Sequence, residues 1–156
     1  MVLRKYLREN GARHRMKPSS KPFDKKLYDA DDTAKWQVIE WLRSQGASAE
    51  LNPDQFGIDI LTDWGMPDTG IEVEVKHNWR GPVFPFKTVH FASRKFKFLK
   101  GHDMVYFAML NHERTHVLLV DGEEFRTVVT KNTIYTEGET FFEVPIDKCK
   151  IVELEK

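Results

Sequence analysis

Cysteine is nearly missing from this chain. Cys149 is the only one in 156 residues, so no disulfide can form within the chain, and small disulfide-stapled folds are excluded. No apolar run approaches the roughly 20 residues that a membrane-spanning helix needs. The first residues hold no apolar core of a secretory signal. The expectation is a soluble, intracellular (cytoplasmic) protein with no membrane partner. Net charge is lacking too: 24 basic side chains balance 24 acidic ones, so bulk charge argues for no partner. Neither a Walker-type phosphate loop nor a dinucleotide glycine fingerprint is present. There is no internal repeat and no long low-complexity segment.

What the chain has is an uneven distribution of charge. Arg4, Lys5, Arg8, Arg13, Arg15, Lys17, Lys21, Lys25 and Lys26 crowd the N-terminal stretch, opposed there by Glu9 and Asp24. The C-terminal third leans acidic. Residues 1–30 are read as a basic arm suited either to phosphate contact or simply to solvation. Residues 31–156 are of a length that fits one domain with its own core.

Asp31, Asp32 and Thr33 offer N-cap candidates, and residues 34–45 read as an amphipathic helix ending at Gly46. Strands are expected over 47–51, 56–64 and 71–78, the last two joined as a hairpin by the turn-rich segment 65–70. A second helix is expected within 89–100, beginning near Ala92-Ser93. Strong strands follow over 104–110 and 116–120, with a turn at Asp121-Gly122. Shorter strands are expected over 125–129, 133–135, 141–144 and 150–154. The order of elements makes a mixed α/β sandwich with a central sheet.

The chemistry is concentrated at Asp59, within Gly57-Ile58-Asp59-Ile60, and in Glu72-Val73-Glu74-Val75-Lys76. On a strand, Glu72, Glu74 and Lys76 project to one face while Ile71, Val73 and Val75 project to the other. Carboxylates beside a lysine on a strand face suit a hard divalent cation and a poised water, the chemistry that cuts phosphodiesters. The bland alternative is an amphipathic edge strand whose charges face water.

Asp59 and Glu74-Val75-Lys76, bracketed by the two expected helices, resemble the PD-(D/E)XK nuclease superfamily. In layout the match is nearest to Holliday-junction resolvases and phage endonucleases, over residues 31–120. The resemblance implies a restriction-endonuclease-like α/β fold, a mixed central sheet flanked by helices, with a short antiparallel C-terminal β region. It implies a Mg²⁺-dependent deoxyribonuclease, Mn²⁺ able to substitute, acting on DNA as an endonuclease, with relatives often working as homodimers. Asp59, Glu74 and the Val75 carbonyl would be metal ligands. Lys76 would assist the attacking water or stabilise the phosphate, and the residues do not choose between these roles.

The family often adds a glutamate early in the first helix; here Lys35 lies near that position. Glu40, slightly favoured, or Glu72, Asp31 or Asp32 would supply the further acid, which leaves open whether one or two metals bind. Arg80, Arg94 and Lys95 are candidate DNA contacts, and Trp79, Phe84 or Phe86 would stack on a base if exposed. The alternative function is a non-catalytic nucleic-acid-binding protein on a degenerate nuclease fold. His112-Glu113-Arg114-Thr115-His116 spells a zinc-protease pattern, but that pattern needs a helix and here falls between two strands. His14, His90 and His102 lack partners at ligand spacing.

Overall fold

The computed structural model describes residues 15–16, 25–131 and 136–154. Most of the basic arm, His14 and the strand expected over 133–135 lie outside the described residues. Strand β1 (Arg15–Met16) pairs with β9 (Thr136–Glu137).

Helix α1 spans Lys25–Ser44. It starts well before the expected 34, so Asp31, Asp32 and Thr33 lie inside it and do not cap it. Ala34, Val38, Ile39 and Leu42 are fully buried, forming the apolar stripe of an amphipathic helix. The C-terminus closes as the sequence suggests. Gly46 adopts φ +86°, Gly46 N–H donates to Arg43 O, and Ala47 N–H donates to Leu42 O. These two bonds are the Schellman pattern that a glycine makes cheap.

Six strands follow in one sheet: β2 (Ala49–Leu51), β3 (Ile60–Thr62), β4 (Thr69–Val75), β6 (Met104–Leu110), β7 (His116–Asp121) and β11 (Lys150–Glu153). Their spatial order is β11-β7-β6-β4-β3-β2. All neighbours are antiparallel except β4 and β6, which run parallel in the register Thr69 to Met104 through Val75 to Leu110. The fold is thus mixed α/β, with a mostly β, mixed sheet.

Alternation along the strands builds two cores. Ile71, Val73, Ala108, Leu110, Val117 and Leu119 face α1. Phe107, Met109, Leu118 and Val120 face the other way. There they meet a second sheet of three antiparallel strands, in the order β5 (Thr88–Ala92), β10 (Glu139–Pro145), β8 (Thr127–Lys131). Phe91, Phe107, Phe125 and Phe142 lock this interface, with Phe125 stacked on Phe142 at 4.6 Å between ring centres.

The helix expected to begin near Ala92-Ser93 is found as a 3-10 segment, Ser93–Leu99, and the residues before it form β5. Pairing of β5 with β10, Phe91 opposite Phe142, draws the first half of that stretch into a strand. The central sheet is therefore covered by α1 on one face and by the small sheet with the Ser93–Leu99 segment on the other.

Candidate active site

The site forms where two strands part. β3 and β4 are paired from Thr62–Thr69 to Ile60–Ile71 and no further. Past Ile71, the backbone N–H of Val73 donates instead to Asp59 Oδ2 at 2.8 Å. Asp59 N–H donates to Glu72 Oε1 at 3.3 Å, and Asp59 O accepts from Asn52 N–H at 2.9 Å. Side chains thus take over where the ladder stops, and the two acids are held by backbone groups of each other's strands. Just before Asp59, Gly57 packs closely on Asn52: a Cβ there would lie 2.5 Å from the side-chain Nδ2 of Asn52.

Two lysines complete the cluster. Lys35, from α1, lies with its Nζ 3.2 Å from Asp59 Oδ1. Lys95, from the 3-10 segment, lies 3.4 Å from Glu72 Oε2 and 3.3 Å from Glu74 Oε2. Glu72 and Glu74 share the face of β4 opposite α1, as their alternation requires. That face is covered by the Ser93–Leu99 segment, so Lys95 points inward and its side chain is only 14% exposed.

Burial shapes the proton chemistry. Glu72 is pushed up to about 8, first by desolvation and then by its hydrogen bond with Asp59; the Lys95 ammonium pulls the other way and loses. For Lys95 the balance reverses. Burial disfavours its charge, but Glu74 and Glu72 outweigh burial and hold its pKa above the ordinary lysine value. Near neutral pH the cluster therefore keeps a proton on Glu72 and a positive charge on Lys95.

The other expected site residues are distributed as follows. Lys76 sits one residue beyond β4, its N–H donating to Leu110 O at 2.8 Å. Its ammonium lies over the Phe86 ring, 5.2 Å from the centre. Glu40 is exposed on α1, about 140° around the helix from Lys35 at 100° per residue; Lys35 is the α1 side chain that meets Asp59. Asp32 lines the same cleft as Lys35, and the side chain of Asp31 lies outside the described residues. Arg80 is exposed, and Arg94 is exposed with a guanidinium contact to Glu139. Trp79 and Phe84 are buried, so neither can stack on a base as considered; Phe86 is 42% exposed.

The inward role of Lys95 and the ion pair of Lys35 were not anticipated. A signal for Lys95 exists in the sequence: it is flanked by Phe91, Phe96, Phe98 and Leu99, an apolar setting in which a lysine needs a buried anion. The cleft beside Asp59 encloses about 420 Å³ and is lined by Asp32, Lys35, Asn52, Asp54, Phe56 and Asp59, among others. Among the described residues, no three histidine, cysteine, aspartate or glutamate side chains are grouped as a metal cage. The donors at hand are nonetheless hard carboxylate oxygens, the type that Mg²⁺ accepts alongside its own waters. Lysine ammoniums lie against all three acids, so a cation bound there would have to displace them.

The zinc-protease pattern is resolved as a hairpin tip. His112 Nδ1 lies 3.1 Å from His77 Nδ1, whereas His116 Nδ1 bonds Thr115 Oγ1. The two histidines of the motif share no site. His90 meets Glu143 and His102 meets Asp68. Compared with known proteins, the chain matches no family model and no curated protein.

Proposed function

We propose that this protein is a Mg²⁺-dependent endonuclease of restriction-endonuclease-like fold that hydrolyses DNA phosphodiester bonds, with Mn²⁺ able to substitute. The observation that carries this reading is the meeting of Asp59, Glu72 and Glu74 with two lysines at the point where β3 and β4 separate. The succession of α1, the β2-β3-β4 meander and parallel β6 supports the fold assignment. Asp59 and Glu74, with the Val75 carbonyl, would hold the cation, and Glu72 would be the further acid. Bound there, Mg²⁺ would lower the pKa of a coordinated water and offset phosphate charge.

The chain's own groups divide the remaining work. Lys76, at the end of β4, offers an ammonium to the charge that grows on the phosphate oxygens. Glu72 is held by the N–H of Asp59, and as the further acid it would give up its proton when a cation binds. Lys35 and Lys95 keep the acids neutralised before substrate arrives. Arg80 and Arg94 lie on the surface for backbone phosphates.

A second reading is favoured by one observation. Because Lys35 and Lys95 already pair with the acids, the cluster also fits a structural ion-pair network in a nucleic-acid-binding protein that does not cut. The test is incubation with supercoiled, linear, single-stranded and branched DNA in Mg²⁺, Mn²⁺ or EDTA, with Mg²⁺ titration by calorimetry. Metal-dependent cleavage lost in Lys76→Ala, and heat of Mg²⁺ binding lost in Asp59→Ala, are expected. DNA binding that persists in EDTA, with neither cleavage nor Mg²⁺ heat, would select the second reading.

A further inference from the structure

The large apolar side chains that this protein leaves exposed are not scattered. They are Trp36, Phe56, Met66, Val83, Phe86 and Ile151 among the described residues. Four of these six belong to one end of the central sheet, the end that carries the acids. β3 enters the sheet there, and β4 and β6 leave it there, because β3 is antiparallel to β4 and β4 is parallel to β6. The connections 52–59, 76–87 and 111–115 consequently share that end. Phe56 lies on the first and Val83 and Phe86 on the second. Trp36 follows Lys35 on α1, and its other neighbour, Gln37, donates to Arg114 O in the third.

Phe56 is the extreme case, with 80% of its surface exposed at the lip of the Asp59 cleft. It is held there by a structured turn. Asp54 N–H donates to Asn52 Oδ1, Phe56 N–H to Asp54 Oδ1, and Gly57 N–H to Asp54 O. Holding a phenyl ring in water gains nothing for folding, whereas a ring fixed beside a phosphate-handling site offers a stacking platform to a base. Around Phe56 the cleft carries Asp32, Asp54 and Asp59 with Lys35, while the neighbouring connection carries cations: Lys76 over Phe86, and the exposed Arg80 and Lys87. An exposed ring at the cleft with cations on the neighbouring connection suits a strand whose bases are unstacked. A continuous duplex buries its base faces and presents only phosphates and groove edges.

We infer that Phe56, at the lip of the Asp59 cleft, is a base-stacking subsite, and that the substrate carries unpaired nucleotides next to the phosphate presented to Asp59 and Glu74. This rests on the nuclease reading for the role of the acids, but the subsite is tested without cleavage.

The experiment measures binding of the full chain to fluorescently labelled single-stranded, forked and blunt duplex DNA, by anisotropy in EDTA. Phe56→Ala is expected to weaken binding to the single-stranded and forked molecules by about five- to a hundredfold, and to change blunt duplex binding less than twofold. Phe56→Trp is expected to restore it and Phe56→Leu to fail, since stacking needs a ring. Equal loss on all three DNAs, or no loss on any, overturns the inference. So does a Phe56→Ala chain that binds DNA normally but changes from dimer to monomer by light scattering, because the lip would then be a self-association surface. Phe56-dependent binding without cleavage in any metal would refute the nuclease and keep the subsite. Metal-dependent cleavage indifferent to Phe56 would do the reverse.

Discussion

The ammonium of Lys95 lies 3.3 Å from the carboxylate of Glu74, on the face of β4 turned away from α1. The same ammonium reaches Glu72 at 3.4 Å, so one buried cation spans two acids of the proposed metal site. Removing it leaves the Glu74 carboxylate without its counter-charge in a partly buried place, a loss of at most about the 3–5 kcal/mol that breaking a fully buried pair costs. Lys95→Ala is therefore expected to lower the melting temperature sharply in EDTA. Mg²⁺ should recover part of that loss in the variant, and much more than it stabilises the unmodified chain, because binding only the folded state raises stability by mass action. Scanning calorimetry with and without Mg²⁺ reads both effects. Lys95→Ala melting that ignores Mg²⁺ would count against a divalent site here.

Glu72 makes stability depend on pH in a definite direction. Its carboxyl titrates at about 8 in the folded chain against 4.5 as the ordinary value. Between these values the folded state keeps a proton that the unfolded state has lost. The contribution is fully present below pH 4.5 and is lost as pH rises through about 8, with a slope of at most about 1.4 kcal/mol per pH unit. Glu72→Gln cannot ionise and removes this slope. Urea midpoints from pH 5 to 9 should fall for the unmodified chain and stay nearly level for the variant, which becomes the more stable of the two at the alkaline end. Parallel profiles would show that burial does not hold the proton.

How much of this was legible in the sequence depends on the range of the interaction that decides each part. Alternation in Ile71-Glu72-Val73-Glu74-Val75 is local, so the division of that strand between an apolar and an acidic face could be read directly. Gly46 likewise ends α1 through bonds to residues a few positions back. The stretch 88–99 could not be read so well. Val89 and Phe91 alternate, while Arg94, Lys95, Phe98 and Leu99 are spaced as on a helix, and pairing with β10, about fifty residues later, settles the first half as a strand. The apolar neighbours of Lys95 point to burial, but nothing near it in sequence shows Glu72 and Glu74 as its partners. Lys35 was noted only as the wrong residue for a missing glutamate. Its partner Asp59 is 24 positions away, beyond the reach of any helical periodicity.

The core under the site sets a further expectation. Leu42 is fully buried between α1 and the sheet, and its carbonyl also accepts the bond that closes the helix. Leu42→Ala keeps the carbonyl and deletes the side chain, so the loss is one of packing, about 2–5 kcal/mol. Glu40→Ala, on an exposed position of the same helix, is expected to change stability by less than about 0.5 kcal/mol and to leave cleavage within a factor of two. Urea unfolding and a cleavage assay on the pair give the comparison. A large loss of cleavage in Glu40→Ala would bring Glu40 back as the further acid in place of Glu72.

Asp59 carries two duties that substitution can separate. One oxygen accepts from Val73 N–H and so holds β4 where the ladder has stopped; the other faces Lys35. Asp59→Asn retains an oxygen for the Val73 bond but gives up the negative charge, whereas Asp59→Ala gives up both. The asparagine variant is expected to melt close to the unmodified chain and yet to lose cleavage on the order of a hundredfold or more, since electrostatic groups at a reacting phosphate typically contribute on that scale. The alanine variant should lose cleavage to a similar extent and also unfold at lower temperature, because Val73 N–H is left without its acceptor. If the asparagine variant cuts DNA at an undiminished rate, the charge of Asp59 serves only to pair with Lys35, and the splayed end of β3 and β4 is a structural joint rather than a place of chemistry.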